Sequence, residues 1–223
     1  MSFEDQLMPD QPDSFASKTF LEMLLEGNRS GCLAFARNYM SQRGSIKDLY
    51  ENILKSSLYE VGELWEKNKI TVATEHMASA IVEHVLNEFY YDIAVGEKHN
   101  QKVVVACVEN EYHQIGIKMI SDIFEMHGWE SFFLGANVPA SDLIAFIKKH
   151  KPDVLAISLS IYFHLPVLEN MIAMIREEFP DLLIMVGGQA FRHGGKESIS
   201  QFEHVVYQPD IKSTEKFIKS ITI

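Results

Sequence analysis

The sequence has little cysteine and little proline, and both shortages exclude classes of protein. Its 223 residues include two cysteines, Cys32 and Cys107, with no CxxC motif and no disulfide-like spacing. This usage is typical of a reduced, cytoplasmic protein. The small number of prolines and a hydrophobic fraction of 47% are ordinary for a globular chain, which excludes disordered and collagen-like structure. We therefore expect a cytoplasmic protein with a well-packed core.

Long apolar runs and an excess of positive charge are also missing. No apolar run approaches the roughly 18 residues that a membrane span needs, and the acidic residues 1–13 lack the features of a secretory signal. Lys and Arg number 20 against 31 Asp and Glu, a formal net charge of −11. Because nucleic-acid binding relies on clustered Lys and Arg, we predict no contact with nucleic acid. The missing apolar run leads us to predict no contact with a membrane. A gene-regulatory role would then act through a partner protein.

The periodicity of the apolar residues changes near residue 100. Residues 14–96 repeat apolar side chains at helical spacing, which predicts a bundle of four or five helices. Thr71 is predicted to be the N-cap of a helix that begins near Val72. Residues 1–13 are predicted to be flexible, and the polar residues 96–101 to be a linker. The apolar residues of two predicted helices share single faces: Leu54, Leu58, Val61, Leu64 and Trp65 on one, and Val72, Met77, Ala80, Ile81 and Val85 on the other.

After residue 101, short apolar runs alternate with amphipathic stretches. Strand–helix alternation of this kind predicts a parallel sheet with right-handed crossovers. Residues 101–223 are therefore interpreted as a flavodoxin-like, doubly wound domain, and the fold class as α/β with an amino-terminal helical bundle. The predicted strands are residues 103–108, 131–134, 154–158, 182–186 and 204–207.

Three loops are predicted to share one edge of this sheet. In a flavodoxin-like strand order the first, third and fourth strands are neighbours, and ligands bind beside their carboxyl ends. The first loop carries Glu111 and His113, and a carboxylate two residues before a histidine is able to accept a ring N–H and make the imidazole a better metal ligand. Gly116 ends this loop and allows close approach of backbone or ligand. The other two loops carry ordinary features, serines at a strand end and paired glycines that form turns.

The combination resembles the cobalamin-binding fingerprint of methionine synthase, the mutases and the corrinoid proteins. The resemblance implies a cobalamin cofactor whose cobalt, held by the corrin, takes His113 as its lower axial ligand while Glu111 orients that ring. It also implies that the nucleotide tail passes between the strand ends, where the paired glycines leave room. Glu111 replaces the usual Asp, and Ser160 replaces the usual Leu. The matching positions are Glu111, His113, Gly116, Ser158, Ser160, Gly187 and Gly188.

The helical half resembles the cap of adenosylcobalamin-dependent photoreceptor regulators. Trp65 is followed at the family's spacing by Glu75 and His76, and the resemblance implies that these three side chains cover the adenosyl group. It favours adenosylcobalamin, with methylcobalamin as the other form, and a signalling or photoreceptor role. Those regulators carry a histidine directly after the tryptophan, whereas Glu66 stands here and is a poorer ligand for a corrin-bound cobalt. Because no segment matches their DNA-binding domain, we expect a partner protein (a regulator, a kinase or a methyltransferase) and allow for a homo-oligomer.

Two other functions remain open. A corrinoid methyl carrier that serves methyltransferases has the same plan and the same lower histidine, although Trp65 has no evident purpose above a small methyl group. A receiver or nucleotide-binding domain is disfavoured because the third strand ends in Ser158 and Ser160 rather than Asp, and because no glycine-rich phosphate loop follows the first strand. The catalytic barrel of a mutase is absent from the sequence, so we predict that the chain alone is not an enzyme.

Overall fold

The computed structural model describes residues 14–43, 45–93 and 97–222, which divide into two units between Tyr91 and Asp92. The predicted flexible segment, residues 1–13, lies outside the described residues. Cys32 and Cys107 are buried, free thiols. Within the described ranges, none of the helices combines the length and the apolar character that crossing a bilayer requires.

The amino-terminal unit is helical, as predicted. Its helices are α1 (Ser14–Leu25), α2 (Arg29–Arg43), α3 (Ile46–Asp48), α4 (Ser56–Glu66) and α5 (Val72–Phe89). A π-helical segment, Leu49–Lys55, joins α3 to α4 and buries Leu49, Tyr50, Ile53 and Leu54. The segment therefore contributes a large share of the core of this unit.

Helix α5 begins where the sequence predicted and buries Ile81 and Val85 of the predicted face, but its burial starts later along the helix. Thr71 is its N-cap, because Oγ1 accepts the N–H of Thr74 at 3.2 Å. Val72 is 51% exposed and Met77 is also exposed, although periodicity placed both on an apolar face. The buried residues begin only at the seventh residue of the helix: Ala78, Ile81, Val82, Val85, Leu86 and Phe89. Periodicity gives the faces of a helix but does not show how far along its length other helices pack.

The carboxy-terminal unit is a five-stranded parallel sheet with the strand order β2-β1-β3-β4-β5, which confirms the flavodoxin-like prediction. Every residue of β3 and nearly every residue of β1 is buried, as expected for central strands that helices cover on both faces. The strands are β1 (Lys102–Cys107), β2 (Glu130–Gly135), β3 (Val154–Ser158), β4 (Leu183–Gly187) and β5 (Val205–Tyr207).

The helices of this unit connect the strands and fix where the loops begin. Helix α10 starts with a capping box, in which Asp210 accepts the N–H of Ser213 at 2.7 Å. Trp129 ties the start of β2 to the end of α10 by donating to Thr222 Oγ1 at 3.0 Å. The helices are α6 (Ile115–Met126), α7 (Ala140–His150), α8 (Leu165–Glu178), α9 (Lys196–Ser200) and α10 (Ile211–Ile221).

Candidate functional site

The carboxyl ends of β1, β3 and β4 lie level with one another. Cys107 pairs with Ser158, and Ser158 pairs with Gly187. The ladder continues one residue further, since the N–H of Val108 donates to Ser158 O at 3.1 Å and the N–H of Leu159 to Gly187 O at 2.9 Å. The three loops predicted to share an edge therefore start side by side.

Glu111 joins the first of these loops to the second through a fully buried carboxylate. Its Oε2 accepts the backbone N–H groups of Ser160 at 3.1 Å and Ile161 at 2.9 Å. Its Oε1 accepts the backbone N–H of His113 at 3.1 Å and is hydrogen-bonded to Nδ1 of the same residue. The structure thus brings Glu111, His113 and Ser160 together, although Ser160 participates through its backbone rather than its hydroxyl.

The ionisation of Glu111 sets the hydrogen position on His113. Burial by itself raises the pKa of Glu111. Hydrogen bonds from the ring and the amide of His113 and from the amide of Ile161 outweigh this effect, and the charge of His113 adds to them. The pKa of Glu111 is therefore lowered to about 2. Glu111 is therefore a carboxylate at neutral pH and accepts the ring N–H at Nδ1. A neutral imidazole that donates through Nδ1 carries its lone pair on Nε2, and the His113 side chain is 48% exposed. This arrangement suits a metal ligand.

The loop after β2 is tied to the same place by Asn137. Its Oδ1 accepts the N–H of Asn110 at 3.0 Å, its Nδ2 donates to Tyr112 Oη at 3.2 Å, and its backbone N–H donates to Glu111 O at 2.9 Å. Sequence reasoning did not assign this residue a role. Asn137 has a φ of 51°, and an asparagine in a loop is a known signal for that left-handed conformation.

Contacts within the chain explain why glycine stands at positions 187 and 188. Gly188 has a φ of 113°, and a Cβ there would lie 2.1 Å from Leu159 O. A Cβ on Gly187 would lie 2.9 Å from Gln208 O. The resemblance attributed these glycines to room for the nucleotide tail, but backbone packing alone already requires glycine at 188. Gly116 is different, because a Cβ there would meet no protein atom within 4 Å.

The residues predicted to form a cap lie on α4 and α5. Trp65 is 45% exposed, and Glu66 beside it is exposed. Glu75 accepts a hydrogen bond from Ser79 Oγ at 2.8 Å and lies 2.5 Å from His76 Nδ1. The structure therefore brings Glu75 and His76 into contact and leaves a large aromatic ring open on the same unit.

Sequence reasoning overlooked His164. This residue lies in the loop after β3, and its Nδ1 is 3.7 Å from Glu111 Oε2. A signal was available, because the loop predicted after the third strand contains His164 four residues after Ser160. The folded position of the ring beside Glu111 depends on the short 3-10 turn Tyr162–His164, which the spacing alone did not predict.

Two family models of known protein domains match this chain. Residues 101–209 match one family model described as a B12 binding domain, and residues 16–89 match a second model with the same description. The chain therefore carries B12 binding domains, as the resemblance predicted.

The similar proteins include transcriptional repressors and corrinoid proteins. The HTH-type transcriptional repressor CarH of Myxococcus xanthus is 29% identical over 64% of this chain, and the match spans 48% of the repressor. Dimethylamine corrinoid protein 3 of Methanosarcina acetivorans is 26% identical over 64% of this chain and 68% of its own length. The chain thus spans about half the length of the repressor and about two thirds of the corrinoid protein.

Solved structures share the fold. The Methanosarcina barkeri monomethylamine corrinoid protein superposes with a TM-score of 0.79 over 94% of this chain and 100% of its own, at 14% identity. A chain of the Methanosarcina barkeri methanol:cobalamin methyltransferase complex superposes with a TM-score of 0.51 over 98% of this chain and 88% of its own, at 19% identity. At these identities the likeness concerns the fold alone.

Proposed function

We propose that this chain is a cobalamin-binding regulatory module that favours adenosylcobalamin and passes the state of its upper ligand to a partner protein. The observation that carries the proposal is the exposure of Trp65 on the helical unit. Val72 and Met77 on α5 are also exposed, and exposed apolar side chains that form one contiguous patch mark a binding site. Such a surface suits a bulky upper ligand better than a methyl group.

The sheet unit carries its own candidate ligand for cobalt. Glu111 accepts the ring hydrogen of His113 at Nδ1, which places the lone pair on Nε2, the atom that would bind a metal. Open space at Gly116 lets a ligand approach the first turn of α6. We propose that His113 binds cobalt, and that Ser158, Ser160, Gly187 and Gly188 contact the nucleotide tail. When bound, adenosylcobalamin supplies a cobalt–carbon bond that light breaks.

Glu66 restricts which side chains can bind cobalt after illumination. The residue after Trp65 is an exposed carboxylate, and carboxylates are weaker ligands than imidazoles for a corrin-bound cobalt. We therefore propose that position 66 supplies no nitrogen ligand after illumination. His76 and His84 on α5 are the imidazoles of the helical unit that remain available for that role.

The proposed function is tested by illumination of the loaded protein. The chain is loaded with adenosylcobalamin in the dark, illuminated without oxygen, and followed by absorption, by tryptophan fluorescence in a Trp129→Phe background, and by size-exclusion chromatography with light scattering. We expect a change in Trp65 fluorescence and in the assembly state. A chain that loses the adenosyl group with neither change is not a light sensor.

Replacement of Trp65 separates a ligand-binding role from a structural one. Because the ring is already 45% exposed, Trp65→Ala should lower the free energy of unfolding by less than about 1 kcal/mol. We expect it to reduce the preference for adenosylcobalamin over methylcobalamin, measured as the ratio of the two dissociation constants. Phe15→Ala removes another highly exposed aromatic ring from the helical unit and serves as the matched control. An unchanged ratio in Trp65→Ala would contradict the cap.

Replacement of Gly116 tests whether the open space at the start of α6 belongs to the ligand. Gly116→Ala should leave the protein without cofactor as stable as before, or more stable by up to about 1 kcal/mol, because alanine is the better helix former and the new Cβ meets no protein atom. Cobalamin binding should weaken at least about tenfold, the cost of overpacking one methyl group. Isothermal titration calorimetry measures the affinity of the parent protein and of Gly116→Ala for cobalamin. An undiminished affinity in the variant would show that the cofactor does not approach this helix.

A methyl-carrier function is the second candidate. It is supported by the 26% identity to dimethylamine corrinoid protein 3 over 68% of that protein. Purified protein with its cobalt reduced to Co(I) should then accept a methyl group from a methyltransferase and donor. Stoichiometric methylation together with no response to light would favour the carrier, and methyltransferase genes beside its own would favour it further.

A further inference from the structure

A groove lies between α1 and α2 on the surface of the helical unit. Its volume is about 240 Å³, and residues from the start of α1 and the end of α2 line it. Phe35 and Tyr39 form an aromatic strip in the groove, with ring centroids 6.4 Å apart and planes inclined by 18°. Phe15 stands at the edge of the groove and is 80% exposed. An open aromatic ring therefore lies directly beside an aromatic strip that neighbouring side chains only partly cover.

The lining of the groove differs in charge from the rest of the chain. Acidic and basic residues make up 23% of the sequence and give it a net charge of −11, yet none of the described residues that line the groove is charged. The centres of protein–protein interfaces are depleted in charged residues and enriched in aromatic ones, and the lining has both properties. Two copies of this acidic chain can therefore meet at the groove without a like-charge contact at its centre.

The polar side chains of the groove are able to pair with their own kind. They are Thr19 on α1 and Asn38 and Gln42 on α2, and both amides are exposed. A hydroxyl or a carboxamide donates and also accepts hydrogen bonds, whereas a carboxylate only accepts them and an ammonium group only donates them. An interface about a two-fold axis uses the same surface on both copies, so the surface must be complementary to itself. This lining meets that condition, which favours a second copy over a partner of opposite charge.

We propose that the groove binds a second copy of this chain about a two-fold axis, with the Phe15 ring of each copy placed against Phe35 and Tyr39 of the other. Aromatic rings attract one another in tilted and offset arrangements, and the two α1–α2 pairs together form a four-helix contact. Because the groove is small, the interface lies at the low end of the size range and the dimer is weak. The proposal goes beyond the proposed function and involves no contact with cobalamin.

The test measures dimerisation of the whole chain without cofactor and in the dark. Sedimentation equilibrium between about 1 μM and 1 mM protein gives the dissociation constant of a weak dimer. Gln42→Glu places a negative charge in the groove of both copies. Ser41→Glu adds the same charge in the same last turn of α2, at an exposed residue outside the lining, and is the matched control. Phe15→Ala removes the proposed anchor.

We expect Ser41→Glu to dimerise as the parent protein does, and both Gln42→Glu and Phe15→Ala to raise the dissociation constant at least about tenfold, as a like-charge contact or a lost anchor does. All three side chains are exposed, so circular dichroism should show that the variants fold. Phe15→Ala should not alter the preference between the two cobalamins. An equimolar mixture of Gln42→Glu and Gln42→Lys should dimerise again, because opposite charges then face each other.

Three results would overturn the proposal. They are a parent protein that stays monomeric at the highest concentration, a dimer whose dissociation constant neither Gln42→Glu nor Phe15→Ala changes, and a mixture of the two charge variants that remains monomeric. The measurement contains no cofactor and no light. A failure here therefore leaves the cobalamin-binding proposal untouched, and a chain that dimerises through the groove but does not respond to light contradicts the light-sensor proposal alone.

Discussion

His113→Asn is expected to abolish nitrogen ligation from the protein to cobalt while the fold persists. The asparagine amide nitrogen can stand where Nδ1 stands and keep the hydrogen bond to Glu111 Oε1, but asparagine has no counterpart of Nε2. Loss of the axial ligand should weaken cobalamin binding at least about tenfold, since even residues that only support a ligand contribute that much. The dissociation constant and the visible spectrum of the loaded protein measure the effect.

His113→Ala is the harsher form of this experiment. It removes the ring that lies against the buried carboxylate of Glu111, so the protein without cofactor should lose about 1–3 kcal/mol of stability as well. His193→Ala provides the control, because His193 is an exposed imidazole on the loop after β4 and has no assigned ligand role. Unaltered nitrogen ligation in His113→Asn would show that another group binds the cobalt.

Gly188→Ala is expected to destabilise the protein without cofactor by about 3 kcal/mol or more. At a φ of 113° an L-residue is strongly disfavoured, and the added Cβ would lie 2.1 Å from Leu159 O and 2.9 Å from Leu159 N. These are backbone atoms, which cannot move aside without disturbing the junction of β3 and β4. The fall in melting temperature should be about 10 °C for a chain of this size.

The comparison with Gly116→Ala makes this prediction specific. Both substitutions add one methyl group beside the same three loops, but only the one at 188 meets the backbone. Circular dichroism during thermal unfolding, without cofactor, should show a large loss for Gly188→Ala and almost none for Gly116→Ala. Equal stability of the two variants would mean that Gly188 serves the ligand alone, as the sequence resemblance implied.

The sheet was predictable because each strand can be recognised from a short stretch of sequence. Runs of buried apolar residues between amphipathic helices predict parallel strands, and the handedness of the crossovers limits their order. The third strand has the predicted bounds, and the other four differ from the predicted ones by one residue at one or both ends. The extent of burial along α5 was not predictable, because Val72 and Met77 have the right spacing but lie in the first turns of the helix, ahead of its buried residues.

The site was predictable where partners are close in sequence. Glu111 and His113 are two residues apart at a strand end, so their hydrogen bond follows from the loop position. His164 and Asn137 reach Glu111 from other loops, and their positions depend on backbone turns that the sequence only partly specifies. The reason for glycine at 188 depends on how near the backbone of Leu159 lies, which is a property of the assembled sheet.

The most direct measurement is electron paramagnetic resonance of the Co(II) form with the protein's histidines labelled with ¹⁵N and an unlabelled cofactor. The electron on cobalt couples to its axial nitrogen, and ¹⁴N splits the signal into triplets whereas ¹⁵N splits it into doublets. If His113 binds cobalt, the labelled protein should show doublets, and His113→Asn should lose them. Triplets in the labelled protein would mean that the cofactor's own base remains on the cobalt, which would contradict the assignment of His113 as the lower ligand.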